Sequence, residues 1–392
     1  MGIVSSSAVS LSVKSTSCGQ ELGRALASAL APHQLKAVVV YASIDHDQPA
    51  LLKSIQDTVG PEVALVGCSS QGLVSRGEAR EGGYFAGALG LGGDLQAAVA
   101  RVDQLGADAA GKGQALGEAL AAKVSGPRLV LVYFDPFTGA DMNAFLAALH
   151  RALPAPIVGG AASQPWGSVV AVYQYAGAEV LSGGAVALAL DGDFAVELAA
   201  SHGTRSLGVE RTVTRSQGTL LMELDGEKAS TVWQQAIGLS VLEAAQAAAL
   251  ALGIPNPDQP ELGAYRVLSP TMRDAAHEAL VFFSHFEPGT KVVLHHRTVE
   301  GVLDGAKAMG WDLSRRLAGR GLKAVLGFEC GARTHPFLGP EATLQENVAL
   351  QQALGGEPAW LGMMAWGEVL ALRDGPAVVN YTYPLACLVD SR

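Results

Sequence analysis

The sequence predicts an α/β protein made of two helix-covered mixed-sheet domains, with an internally duplicated N-terminal part. Short apolar runs alternate with helical patterns along most of the 392 residues, as expected for strands and helices that share a core. From Val38 to Gly67 is 67 − 38 = 29 positions, and from Val130 to Gly159 is 159 − 130 = 29 positions as well. This equal spacing indicates an internal repeat.

The first copy is organised around residues 63–72, where an apolar run leads into glycines and small polar residues. The pattern predicts a buried strand that enters a tight loop. A strand at 36–41 and a helix at 49–59 precede it. Residues 81–91 and 95–102 read as a hairpin across Gly92-Gly93-Asp94.

The second copy shows the same order of elements. Its predicted elements are a helix at 111–123, a strand at 127–134, a helix at 141–153, a strand entering Gly159-Gly160, and a hairpin of 183–190 with 194–201 across Asp191-Gly192-Asp193. The matching glycine and aspartate turns support a duplication.

The last third repeats the theme more freely. A helix is predicted at 228–252, followed by a loop rich in glycine and proline at 253–260. Later predictions are a hairpin of 279–283 with 291–295 across 287–289, a helix at 300–317, a strand at 322–328, a helix at 342–354 and a final strand at 377–382. These features place two domains at residues 20–228 and 229–388.

Composition excludes several classes of protein. The net charge of −10 and pI of about 5.4, without a basic run, argue against a nucleic-acid partner. The four cysteines contain no CxxC pair, which favours reduced thiols in a cytoplasm over a disulfide framework. No signal peptide or membrane-spanning stretch is evident, so we expect a cytoplasmic protein without membrane association.

Several short motifs together resemble the FIST family. They are Gly67-Cys-Ser-Ser70, Val158-Gly-Gly160, Gly183-Gly184, Ser201-His-Gly203, Glu223-Leu-Asp-Gly226, Cys330-Gly-Ala-Arg333, Gly367-Glu368 and Asn380-Tyr-Thr382. The resemblance covers about residues 20–385 and implies an N-terminal and a C-terminal FIST domain. Lys228 and Leu370 occupy positions where the family often has proline.

The resemblance implies an intracellular sensory protein that binds a small ligand. It would pass its signal to a separate partner, such as a histidine kinase, because no kinase, phosphodiesterase or cyclase segment is present in this chain. One branch of the family resembles haem-binding nitric oxide sensors, so haem b is an alternative ligand.

The predicted ligand site lies where the glycine loops meet polar residues of the last third. Cys68, Ser69, Gly160 and Ser163 would form its wall. Arg333 could clamp a ligand carboxylate, and Glu368 could receive a ligand amine or pair with Arg333. Asn380 would add a hydrogen bond. The alternative is that Arg333 and Glu368 form a structural ion pair.

Two further hypotheses concern chemistry. Cys68 could be the nucleophile of an enzyme, since backbone amides of a glycine turn can stabilise a thiolate, although no general base is assignable. His202 and His285 follow apolar strands and are candidate axial ligands of haem. A hydrogen-bonded structural histidine is the competing interpretation of both.

Overall fold

The computed structural model describes residues 2–167, 171–238, 249–259 and 262–391. Three units of the same strand and helix order follow one another along the chain. Unit 1 contains β1 (Ile3–Ser10), α1 (Ser15–Leu30), β2 (Leu35–Ala42), α2 (Gln48–Val59), β3 (Ala64–Ser69), β4 (Gly72–Ser75), β5 (Glu78–Glu81) and β6 (Ala86–Gly93). Unit 2 contains β7 (Leu95–Val102), α3 (Ala109–Ala121), β8 (Leu129–Phe134), α4 (Met142–Ala152), β9 (Ile157–Ala161), β10 (Gln174–Ala176), β11 (Glu179–Leu181) and β12 (Ala185–Gly192).

Unit 3 begins with β13 (Ala195–Ser201) and is then interrupted by an inserted module, residues 204–297. The module contains β14 (Thr204–Gln217), β15 (Leu220–Leu224), β16 (Glu227–Lys228), α5 (Ala229–Ile237), β17 (Leu250–Pro255), β18 (Tyr265–Leu268), β19 (Met272–Asp274), β20 (Ala279–Val281) and β21 (Lys291–Arg297). Unit 3 resumes with α6 (Val299–Arg316), β22 (Leu322–Cys330), α7 (Gly339–Leu354), β23 (Ala359–Ala365), β24 (Glu368–Leu372), β25 (Gly375–Val379) and β26 (Tyr383–Val389).

Each unit builds one six-stranded sheet with a hairpin taken from another unit. The orders are β1-β6-β2-β3-β10-β11, then β7-β12-β8-β9-β24-β25, and β13-β26-β22-β23-β4-β5. Only β2–β3, β8–β9 and β22–β23 are parallel within these sheets. Unit 2 therefore completes the sheet of unit 1, unit 3 that of unit 2, and unit 1 that of unit 3. This cyclic exchange makes the three units structurally interdependent.

Two apolar layers hold each unit together. A pair of helices covers the outer face of each sheet, as Leu22 and Leu51 do over Val38 in unit 1. The inner faces of all three sheets share one central core, where Tyr41 and Tyr133 are fully buried beside Phe328. The strand registers give these three aromatic residues equivalent positions, because their partners on the parallel neighbour are Cys68, Gly160 and Met363.

Helix starts follow the expected capping chemistry. Asp47, Asp108, Asp141 and Thr298 each accept a hydrogen bond from a backbone N–H in the first turn of the following helix. Such a side chain satisfies a donor that has no partner within the helix.

The α/β class, the helix-covered mixed sheets and the N-terminal duplication are confirmed. The third copy resembles the first two more closely than predicted, because Val325 and Gly362 take the positions that Val38 and Gly67 have in unit 1. Their separation is 362 − 325 = 37 positions, which hides the repeat in the sequence. The division into domains at residue 228 stays a prediction.

Three predicted hairpins are wrong. Strands β6 and β7 follow each other but lie in different sheets, as do β12 and β13. The Gly-Asp turns instead link successive units, and they meet where Asp193 N donates to Asp94 O at 3.3 Å. Strand β20 pairs with β15 and β19, whereas β21 pairs with β14 and β17, so 279–283 and 291–295 are not hairpin partners. Alternating patterns identify strands but not their partners.

The helix predicted at 228–252 is confirmed for Ala229–Ile237 only. Residues 239–248 of that prediction lie outside the described residues, and Leu250–Leu252 belong to β17.

The final strand is later in the chain than predicted, since β26 runs to Val389 and is buried along its length. None of the described helices is long and apolar enough to cross a membrane.

Candidate functional site

The predicted glycine loops converge in the centre of the three units. Cys68 pairs with Gln174, and Gly160 pairs with Glu368, across antiparallel strands. The Cys68 Sγ atom is 3.8 Å from Met363 Sδ. Three-unit symmetry thus places Cys68, Gly160 and Met363 at equivalent positions, and Glu368 lies at the same level.

Serine hydroxyls hold these loops together. Ser69 Oγ donates to the Ser163 carbonyl at 3.0 Å, and Ser163 Oγ accepts from Gln71 N at 2.8 Å. Ser70 Oγ accepts from Met364 N at 3.1 Å, which adds unit 3 to the same network. All of these serines are fully buried. Ser69 and Ser163 therefore serve the packing of the loops against each other.

The thiol of Cys68 lacks the features of a nucleophile. Its side chain is fully buried, and burial raises the pKa of Cys68 well above its usual value. A neutral thiol is a poor nucleophile, because the thiolate is the reactive form. This environment argues against the hypothesis of catalysis by Cys68.

Arg333 is a buried structural cation. Its guanidinium forms an ion pair with Glu346, donates to the Ser201 carbonyl at 2.7 Å and donates to the Tyr381 carbonyl at 3.2 Å. Burial opposes the charge, yet the Glu346 carboxylate raises the pKa of Arg333 above its usual value. The predicted pairing with Glu368 is wrong, because Glu346 from α7 occupies the guanidinium.

A polar network surrounds this ion pair. Glu329 Oε2 accepts from Asn347 Nδ2 at 3.0 Å, and Tyr383 OH donates to Asn347 Oδ1 at 2.7 Å. Burial, reinforced by the Glu346 charge, raises the pKa of Glu329 well above its usual value, which favours the protonated form of this carboxyl. The registers place Ala42 and Phe134 at the equivalent positions of units 1 and 2. Unit 3 thus carries polar chemistry where the other units are apolar.

Glu368 and Asn380 both belong to unit 3 but make different contacts. Glu368 Oε2 accepts from Thr382 N at 3.2 Å, and burial raises the pKa of this carboxyl well above its usual value. Asn380 N donates to the Val267 carbonyl at 2.8 Å, and Asn380 Oδ1 accepts from Ser269 N at 3.5 Å. Asn380 therefore docks the module onto unit 3.

The two predicted metal ligands lie in different surroundings. His285 Nδ1 is 3.2 Å from Asp141 Oδ2, at the start of α4 in unit 2. His202 Nδ1 accepts from Thr204 N at 3.0 Å and is 2.8 Å from Thr204 Oγ1. Burial lowers the pKa of His202 to about 3, with His295 and Arg333 adding to the effect. Across the described ranges, no group of three or more His, Cys, Asp or Glu side chains is arranged to hold a metal ion.

A groove of about 700 Å³ lies where the module joins unit 3. Its core wall comes from Ala199–Ser201 at the end of β13 and from one face of α6. The module contributes Thr204, Arg205 and Gly263. His202 and Gly203 connect the two walls. Arg333 lies behind this groove, because it holds the carbonyl of Ser201.

Glycines allow the two walls to meet closely. A Cβ at Gly203 would lie 2.4 Å from Val302 Cα, and a Cβ at Gly301 would lie 2.6 Å from the Gly203 carbonyl oxygen. Gly203 also has φ of +64°, which disfavours other residues. The chain enters the module at Ser201–Thr204 and leaves it at Arg297–Val299, and we call these two segments the neck.

Charges of both signs line the groove. Arg316 is bound by Asp312 at 3.1 Å and by Glu197 at 3.1 Å. Asp304 on α6 and Arg205 on β14 line opposite walls and take part in no ion pair with another described residue. The groove therefore offers one carboxylate and one guanidinium to a ligand.

Sequence reasoning found His202 but missed Thr204, Arg205 and Asp304. No motif marks these residues, and the module separates Arg205 from Asp304 on α6 by 304 − 205 = 99 positions. Glu329 could have been predicted more easily, because it is the one acidic residue in the apolar run of β22. A charge on an apolar strand is a signal of a buried polar network.

The fold is that of an α/β protein built from repeated units with an inserted β module. The chain belongs to the FIST family: residues 36–227 match the FIST N domain, and residues 229–371 match the FIST C domain. No curated protein sequence matches the chain.

Among solved structures, the chain is similar to cyanuric acid hydrolase from A. caulinodans, with 10% identity, 99% of both chains covered and a TM-score of 0.35. It is also similar to phosphoribosylformylglycinamidine synthase II from Thermotoga maritima, with 12% identity and a TM-score of 0.22, over 99% of this chain and 71% of that one.

Proposed function

We propose that this protein is a cytoplasmic sensor that binds a small ligand in the groove and signals through a separate partner, such as a histidine kinase. Membership of the FIST family, whose domains are regarded as sensory, supports the class. The observation that carries the site is the groove itself, which has walls from two parts of the chain and charges of both signs that form no ion pair with another described residue.

The groove suits an amino-acid-like or other carboxylate ligand. Arg205 can form two parallel hydrogen bonds with a carboxylate, and Asp304 can accept from an amine. These residues take the roles that sequence reasoning gave to Arg333 and Glu368. We place the ligand contacts at the groove beside the neck because the earlier candidates, Arg333 and Glu368, are both fully buried.

Binding would change how the module sits on unit 3. A ligand that contacts Asp304 on the core wall and Arg205 on the module favours the arrangement in which both reach it. The affinity difference between arrangements then sets the population that a partner protein recognises. The proposal includes no catalytic step.

The site is tested by filling the groove. Ala308 lies on the groove face of α6, whereas Lys307 lies on the exposed face of the same helix. Thermal unfolding is measured with a library of amino acids and carboxylic acids. We expect any stabilising compound to lose its effect in Ala308→Trp and to keep it in Lys307→Trp. Equal stabilisation of both variants would contradict the groove as the ligand site.

Haem binding is the less supported alternative. Of the two candidate histidines, His285 has the carboxylate of Asp141 at Nδ1, an arrangement that leaves Nε2 available as a ligand. Haem added to the purified protein should give a Soret band that His285→Ala removes. A spectrum identical to that of free haem would end this alternative.

A further inference from the structure

We propose that His202 is a neutral hydrogen-bond donor of the groove, held in one tautomer by Thr204, and that it binds a carboxylate or phosphate oxygen of the ligand. The inference deepens the proposed function, since it rests on the groove being the ligand site. It adds a residue with a defined chemical role and a requirement on the ligand.

The backbone fixes the state of one ring nitrogen. Thr204 N–H donates to His202 Nδ1 at 3.0 Å, so this nitrogen carries a lone pair and no proton. A neutral imidazole has one protonated nitrogen. His202 therefore carries its proton on Nε2.

The hydroxyl of Thr204 strengthens this arrangement. Thr204 Oγ1 is 2.8 Å from His202 Nδ1 and 2.8 Å from His295 Nδ1. Because His202 Nδ1 has no proton, the hydroxyl cannot accept a hydrogen bond from it. When the hydroxyl donates to His202 Nδ1, it can accept from a protonated His295 Nδ1, and the two histidines then have opposite tautomers.

His202 lines the groove, and its protonated nitrogen lies beside Gly263, which lines the groove as well. A Cβ on Gly263, which lines the groove, would lie 3.5 Å from His202 Nε2. No hydrogen bond joins Nε2 to any group in the part of the chain that the structure describes. The N–H is thus available to an acceptor in the groove.

The surroundings keep the ring uncharged. His295 faces it from β21, Arg333 from the loop after β22, and Arg205 lies on β14, whereas Asp304 and Asp312 line α6. Burial is the largest influence and, with His295 and Arg333, lowers the pKa of His202 to about 3. The donor is therefore present without a change of charge from pH 5 to pH 8.

An oxyanion is the acceptor that fits these charges. A hydrogen bond to a charged acceptor is stronger than one to a neutral acceptor, and Arg205 supplies a positive charge on the same groove. Carboxylate and phosphate share this chemistry, so the test separates them.

The tautomer is observable by nuclear magnetic resonance on protein labelled with ¹⁵N-histidine. We expect His202 to show an unprotonated Nδ1 and a protonated Nε2 from pH 5 to pH 8, with the signals identified by their loss in His202→Gln. A protonated Nδ1, or an imidazolium within this range, would overturn the proposal.

The donor role is tested with sodium acetate, sodium phosphate and sodium chloride at equal ionic strength. Acetate or phosphate should move the Nε2–H resonance where chloride does not, and the more effective anion identifies the acceptor. We expect the anion to bind about 10- to 100-fold more weakly to His202→Leu, and within a few-fold of wild type to His202→Gln, whose amide retains a donor.

Failure of the donor role is distinguishable from failure of the groove. If neither anion moves the resonance, His202 is not the donor. In that case a compound whose stabilising effect is lost in Ala308→Trp would still support the proposed function.

Discussion

At the scale of single residues, unit 3 differs from units 1 and 2 at a strand position that holds a buried carboxyl. Glu329 occupies a position that is Ala42 in unit 1 and Phe134 in unit 2. The raised pKa of Glu329 favours its neutral form, and beside the Arg333–Glu346 ion pair a neutral Glu329 adds no surplus negative charge. A buried ion pair needs such partners, because an uncompensated charge in the interior is strongly unfavourable.

The raised pKa of Glu329 predicts a pH-dependent stability. Protonated Glu329 contributes stability that is complete below the ordinary glutamate pKa of 4.5, and this contribution is lost as pH rises through the raised pKa. The stability lost at higher pH is about 1.4 kcal/mol for each tenfold increase in proton affinity of the folded-state carboxyl. Glu329→Gln, which mimics the protonated form, should therefore be more stable than wild type at pH 9 and similar at pH 4.5.

Urea unfolding at several pH values measures this difference. Glu357→Gln is the matched control, since Glu357 is exposed. The interpretation fails if the stability of Glu329→Gln relative to wild type does not increase with pH, or if Glu357→Gln shows the same trend.

At the scale of elements, the close contact between the neck and α6 requires glycine at position 203. A comparison with Gly208 separates this steric requirement from backbone strain. Gly203 and Gly208 both have positive φ, +64° and +71°. A Cβ at Gly203 would lie 2.4 Å from Val302 Cα, whereas a Cβ at Gly208 has no atom within 4 Å. The two positions therefore share backbone strain but differ in steric contact.

Alanine substitution should affect these positions unequally. Gly208→Ala is expected to lower the free energy of unfolding by about 1–2 kcal/mol, the cost of a left-handed alanine. Gly203→Ala should lower it by several kcal/mol more, because α6 must move away from the neck. Denaturant unfolding provides both values, and equal losses would show that the close approach at the neck is not required.

At the scale of the whole molecule, the exchanged hairpins imply that the three units fold together. The sheet of unit 1 (sheet 1) needs β10–β11 of unit 2, the sheet of unit 2 (sheet 2) needs β24–β25 of unit 3, and the sheet of unit 3 (sheet 3) needs β4–β5 of unit 1. The module takes no part in this cycle, since its strands form a separate sheet. The core should thus tolerate loss of the module but not loss of a unit.

Two shortened chains test this difference. Thr204 and Arg297 are register partners, so residues 205–296 can be replaced by Asn-Gly, a sequence that favours a two-residue hairpin turn. We expect this shortened chain to keep the helices of the three units when folded and to unfold in one cooperative transition. Residues 1–194 alone should lack a cooperative transition, because sheets 1 and 2 would lose central packing from unit 3. Circular dichroism during thermal unfolding distinguishes the two outcomes.

The sequence by itself determined the α/β class and the first two copies, because strand and helix periodicity and glycine spacing are local properties. It also predicted His202 as a haem ligand and the loops around Cys68 and Gly160 as ligand-site walls, and both stay predictions. The third copy showed only a looser likeness in sequence, since an inserted module and eight additional positions between Val325 and Gly362 disrupt its spacing. Only the tertiary structure decided the strand partners, the pairing of Arg333 with Glu346, and the meeting of Arg205 with Asp304 at one groove. The strand partners and the meeting of Arg205 with Asp304 join residues far apart in the chain. Arg333 reaches Glu346, 13 positions away, through the packing of α7 in unit 3. Local patterns encode none of these contacts.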